Sequence, residues 1–235
     1  MLESQPVSVQ KNLILASNSP RRRQLLALGG WDFDVLVADI DESQHPGEAP
    51  GDYVLRLAES KARKIAEKAR DDQFVLAADT SVVDAGEILG KPVDAQDAVR
   101  MLKRLRGHTH QVYTGIALLR VSDGKLLTDL TVTDVPMRAY SDEEIDAYVR
   151  SGDPLDKAGA YGIQHPGFQP VERLQGCFPS VMGLPLCRAT FLLQEFDVAP
   201  RSPAVIRCRA EHQVDCQISE AVLRGELVDL HKGEE

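Results

Sequence analysis

Residues 74–83 read FVLAADTSVV, an apolar run interrupted by Asp79 and Thr80. A run without polar alternation is a strand buried on both faces, the pattern of a parallel strand with helices packed above and below. The segment predicts such a strand with an acid at its carboxyl end, where ligands gather in open α/β sheets. A second short run, Leu13, Ile14, Leu15 and Ala16, leads directly into Ser17, Asn18 and Ser19.

A helix follows that second run. Ser19 suits its cap, Pro20 its first position, and Gly29 and Gly30 its end. Arg21, Arg22 and Arg23 then occupy the first turn, where free N–H groups already disfavour cations by up to about 1 kcal/mol each. Strand, polar loop, helix N-terminus and three guanidiniums together predict a site for an anion of several charges, such as a polyphosphate. The spacing is not a Walker loop, because no Gly-x-x-x-x-Gly-Lys run is present.

Further along, WDFDVLVADIDES predicts a strand that delivers Asp39, Asp41 and Glu42 to a Pro- and Gly-punctuated loop. Asp52 is the expected cap of the next helix, whose stripe of Val54, Leu57, Ala58, Ala62 and Ile65 has Lys61 at its margin, placed to turn inward. Asp94 caps a third helix that ends at Gly107. Residues 111–121 and 126–138 alternate as a hairpin around Asp123 and Gly124, and Ser141 with Glu144 forms a capping box just after it. Alternating strands and helices give an α/β or α+β class. Residues 153–186, dense in Gly and Pro yet interrupted by aromatics, read as a shaped loop wall.

The net charge of −9 argues against a nucleic-acid polymer as partner, since the basic residues are local rather than spread over one face. With no long apolar span and no signal-peptide pattern in MLESQPVSVQ, the reading is a cytoplasmic protein without membrane contact. The cysteines, Cys177, Cys187, Cys208 and Cys216, lack paired spacing and read as reduced thiols. Cys208, His212 and Cys216 lie four apart, but without a fourth ligand the spacing argues against zinc.

Five segments, LASNSPRR, VLAADTSVV, ILGKP, RLRGHTHQVYTG and DKAGAYGIQ, occur in this order. Together they resemble the Maf family of nucleoside triphosphate pyrophosphatases, from about residue 12 to about residue 196. The resemblance implies a single elongated α/β domain with a central mixed sheet and a deep cleft, similar to the inosine triphosphate pyrophosphatases. The chain then divides into an N-terminal extension at 1–11, the Maf-like domain at 12–197 and a polar C-terminal extension at 198–235.

It also implies hydrolysis of a nucleoside triphosphate to the monophosphate and pyrophosphate, with a divalent metal, magnesium or manganese, and the pairing of two copies as a homodimer. By the same resemblance Asp79 is the catalytic base and a metal ligand, with Glu42 as second ligand and Asp41 its close competitor. Ser17, Arg21, Arg22, Lys61 and Lys91 hold phosphates, while Arg23 falls outside the paired arginines. Arg22, Thr80 and Gln164 set the base choice. The Gln164 amide, one acceptor and two donors, matches the imide edge of uracil or thymine, and the AYGIQ form resembles the branch acting on dTTP and UTP. A purine or 7-methyl-GTP pyrophosphatase and a non-catalytic regulator of septum formation are the alternatives. Cys177 and Phe178 stand where relatives often carry Ser and Tyr, which predicts a hydrogen bond missing near the cleft. His110 and Thr114 read as structural.

Overall fold

The computed structural model describes residues 12–174, 176–212, 216, 219 and 221; the expected N-terminal extension lies outside them. The order is β1 (Leu13–Ala16), α1 (Pro20–Ala27), β2 (Phe33–Leu36), α2 (Pro50–Ala66), β3 (Phe74–Asp84) and β4 (Glu87–Leu89). Then come α3 (Ala95–Leu105), β5 (Thr109–Arg120), β6 (Leu126–Pro136) and α4 (Asp142–Arg150). Two short 3-10 turns, Asp153–Asp156 and Ala158–Ala160, precede α5 (Phe178–Val181), α6 (Leu186–Gln194) and α7 (Ala204–His212). The sheet is mixed, in the order β2-β1-β3-β5-β6, with β4 on β3. β1 runs parallel to β2 and β3, whereas β3, β5 and β6 pair antiparallel.

Helices cover both faces. Val75 and Ala77 of β3 pack with Ala58, Ala62 and Ile65 of α2. Leu76 and Ala78 pack with Leu25 and Leu26 of α1 and with α6. Odd-numbered side chains of β3 thus face α2 and even-numbered ones the opposite layer, the period of two that a strand imposes. Val82, Val112 and Val135 continue that second layer under α3 and α4. α2 lies close because Gly115 has no side chain: a Cβ there would stand 2.8 Å from the Val54 backbone. Gly115→Ala is expected to destabilise the protein by about 1–3 kcal/mol, the usual penalty of overpacking, read as a Tm several degrees lower in a thermal melt.

Two sequence expectations are corrected. β3 does not end at Asp79 but runs on to Asp84, because antiparallel β5 pairs with it from Phe74 to Val83. The acid is therefore mid-strand. α2 starts at Pro50 after Ala49, without a side-chain cap, and Asp52 instead places its charge in the first turn, where it suits the helix dipole. Local signals elsewhere agree, with Ser19, Asp94 and the Ser141–Glu144 box capping α1, α3 and α4.

Beyond residue 197 the chain is not wholly polar. α7 buries Ala204, Val205 and Cys208, and Ser202 Oγ donates to Leu28 O at 2.7 Å, tying the segment to the end of α1. All four cysteines are buried and unpaired, as their spacing predicted. Among the described residues no three His, Cys, Asp or Glu side chains gather as a metal-binding group, and no helix is long and apolar enough to cross a membrane.

Candidate active site

The centre of the sheet contains a gap. On one edge of β3, β1 pairs with residues 74–77 and β4 with residues 82–84. Among the described residues no strand covers 78–81 on that edge, and there a cleft of about 1090 Å³ opens. Asp79 and Thr80 lie in its floor, Asp79 toward α2 and Thr80 toward α1.

Along one side, the Ser17 loop and the start of α1 carry the arginines. Ser19 Oγ accepts from Arg22 N at 3.4 Å, and Ser17 Oγ accepts from Ser19 N at 3.1 Å and from Arg22 Nη1 at 3.3 Å. Arg22 also donates from Nε to Gly183 O at 2.8 Å and from Nη2 to Thr80 Oγ1 at 3.2 Å. Burial lowers the pKa of its guanidinium, and the nearby Asp79 carboxylate opposes that shift. Arg22 is thus a tie between α1, β3 and the segment before α6. Arg21 and Arg23 line the same cleft without an ion pair among the described residues, so Arg23 stands at the site although the motif leaves it outside the pair. Lys91, just past β4, is exposed at the rim.

Across the cleft, Lys61 sits between two carboxylates. Its Nζ lies 2.7 Å from Asp79 Oδ1 and 2.7 Å from Glu42 Oε1. Lys61 does turn inward from the margin of the α2 stripe, toward the acid rather than the core. Burial would raise the Glu42 pKa, but the Lys61 ammonium, with Lys91 and Arg22, outweighs it and lowers the value. Asp41, its competitor, instead accepts from Ser43 N at 2.9 Å and does not line the cleft. Asp79 and Glu42 are hard oxygen donors of the kind magnesium and manganese take. Two carboxylates fit such an ion when substrate phosphates and water complete its shell.

The third wall is the Gly-rich segment. Gly159 and Ala160 adopt positive φ, and a Cβ on Gly159 would stand 2.9 Å from the Val82 side chain, so the wall docks directly on β3. It presents Gln164, whose amide makes no hydrogen bond among the described residues. Thr80 is committed differently. Thr114 Oγ1 donates to Ser180 O at 2.9 Å, which spends its one proton, so in the 3.0 Å contact with Thr80 it accepts. The chain runs from Arg22 through Thr80 and Thr114 to Ser180, leaving Thr80 only an acceptor to offer a ligand.

Some expectations need adjusting. Neither Cys177 nor Phe178 lines the cleft; Cys177 lies against Cys187, Val205 and Cys216, and Phe178 faces His212 at 5.1 Å. His110 is structural as read, with Nε2 2.8 Å from the Tyr161 hydroxyl, and Thr114 is buried. The Gly183 carbonyl is a contributor that sequence reasoning missed, since a backbone oxygen carries no residue signature.

Residues 12–196 match the family model described as Maf-like protein. The chain belongs to the Maf family. Similar proteins include a dTTP/UTP pyrophosphatase of Hahella chejuensis, 49% identical over 80% of this chain and 94% of that one. A dTTP/UTP pyrophosphatase of Geobacter sulfurreducens is 53% identical over 74% of this chain and 91% of that one. Among solved structures, the Staphylococcus aureus Ham1 protein aligns with a TM-score of 0.40 at 13% identity, covering 68% of this chain and 79% of that one. The matched span of this Maf protein includes all three walls of the cleft.

Proposed function

We propose that this Maf protein hydrolyses dTTP and UTP, including modified forms, to the monophosphate and pyrophosphate. The observation that carries the reading is one cleft holding a buried acid with a lysine on it, a cluster of arginines at a helix N-terminus, and an unengaged amide. The relatives named dTTP/UTP pyrophosphatase support the substrate class.

The triphosphate lies along the arginine side, where the Arg21 guanidinium, the Arg21 N–H at the α1 N-terminus, unsatisfied among the described residues, and Lys91 neutralise its charge, with Ser17 and Arg22 shaping the seat. Lys61 has three N–H donors and uses two on Asp79 and Glu42, which leaves one for a phosphate oxygen. Asp79 accepts the proton of the attacking water, and the bond between the α and β phosphates breaks with pyrophosphate as leaving group. Asp79 and Glu42 would hold a divalent ion, which would supply Lewis acidity to the attacking water and charge neutralisation to the triphosphate. Gln164 pairs with the imide edge of the base, its donors to a carbonyl oxygen and its acceptor to N3–H.

Incubating the protein with a panel of nucleoside triphosphates, with magnesium or with chelator, tests this reading. Pyrophosphate, as distinct from orthophosphate, is expected from dTTP and UTP with little from purines, and none once the metal is chelated. Purine preference would retain the reaction and remove the base assignment. No turnover with any nucleotide or metal would favour a binding protein instead.

A further inference from the structure

Gln164 belongs to neither a helix nor a strand, and its amide has no hydrogen bond among the described residues to hold it. Its position is set by its neighbours in the chain. One side chain grips both flanks. Gly162 N, two residues before it, donates to Tyr148 Oη at 2.9 Å. His165, immediately after it, lies against the Tyr148 ring at 4.7 Å between centroids.

Tyr148 is itself fixed. It projects from α4, is 3% exposed, and stacks on Phe168 at 4.3 Å with an interplanar angle of 13°. Phe168 N in turn donates to His165 Nδ1 at 2.9 Å, closing a ring of contacts around the Gln164 turn. Tyr148 Oη donates to Asp153 Oδ2 at 2.7 Å, while Asp153 Oδ1 accepts from Lys157 Nζ at 3.0 Å. The phenol has one proton and spends it on Asp153, so toward Gly162 it acts as acceptor. Burial, reinforced by Asp153, keeps the phenol protonated and the direction of the chain unambiguous.

We propose that Tyr148 is a positioning residue for substrate choice, holding the backbone on both sides of Gln164 so that its amide stands at the height of the base. This rests on the reading of Gln164 as the base-contacting residue. It predicts that losing the phenol oxygen impairs discrimination between bases and leaves the phosphate end of the cleft in order.

Tyr148→Phe keeps the stacked ring and removes only the hydroxyl. The ratio of kcat/KM for dTTP over dGTP is expected to fall about tenfold, the scale of one buried hydrogen bond, mostly through a higher KM for dTTP. Asp153→Asn retains an acceptor for the phenol and should lower the ratio less, which gives a second reading should Tyr148→Phe fold poorly. The deciding measurement is the double-mutant cycle with Gln164→Ala, since a residue acting through Gln164 has no further effect on the ratio once the amide is gone. An equal fall for both nucleotides after Tyr148→Phe, or a full additional fall in the Gln164→Ala background, would overturn the inference. If Gln164→Ala itself leaves the preference intact, the base assignment fails and this inference with it. If Gln164→Ala removes the preference but Tyr148→Phe does not, only the positioning role fails.

Discussion

Asp79→Asn is expected to lower turnover of dTTP by about 10²–10⁴-fold, the range that a positioned general base contributes. Asn is close in shape, and its carbonyl oxygen can still accept from Lys61 across the 2.7 Å contact. What it cannot do is take a proton from water. Nucleotide binding should remain measurable by calorimetry, because the arginine side of the cleft is untouched and one negative charge has left the neighbourhood of a polyanion. A variant with full activity would rule out Asp79 as the base, whereas a variant that no longer binds would assign the residue to the seat of the substrate.

Arg22→Met is the second large effect. The guanidinium contacts Ser17, Thr80 and Gly183 at once, and hydrogen bonds to charged groups contribute about 1.5–3 kcal/mol each. Loss of the charge beside the triphosphate should raise KM about 10–100-fold, at 1.4 kcal/mol per tenfold. Loss of the tie should also lower Tm, because Gly183 O and the Thr80 hydroxyl are left short of a partner. Arg22→Lys is expected to recover little, since a single ammonium cannot reach three acceptors in three directions. Steady-state kinetics and a thermal melt on both variants separate the two contributions; recovery of both by Lys would show that only the charge matters.

Features fixed by neighbouring residues were legible in the sequence. Ser19, Asp94 and the Ser141–Glu144 box act within three residues of themselves, and the β5–β6 hairpin announces itself by alternation around Asp123 and Gly124. The inward turn of Lys61 could also be read, from its place beside an apolar stripe. Less was legible about Asp79. Its local run resembles a strand that stops, and only pairing with Gly115, far along the chain, carries the strand past it. The hydroxyl chain from Thr80 to Ser180 O and the anchoring of Arg22 on Gly183 O were invisible for the same reason, as they join residues brought together by the fold. Asp52 was misassigned because Pro50 at the first helical position, with Ala49 before it, starts α2 earlier than the acid.

Asp79 and Thr80 are consecutive residues of one strand, and the pleat sends them into opposite layers of the protein. The acid lives among Lys61 and the α2 side; the alcohol lives among Arg22, Thr114 and the segment before α6. The two surroundings meet at Arg22, which donates to Thr80 and feels the Asp79 carboxylate, whereas Thr114 and Ser180 touch only the Thr80 side. On the proposed roles, a lineage built on this strand can drift in which nucleotide it accepts through changes around Thr114 and Ser180, with Lys61 and the acid inherited intact as long as Arg22 is kept.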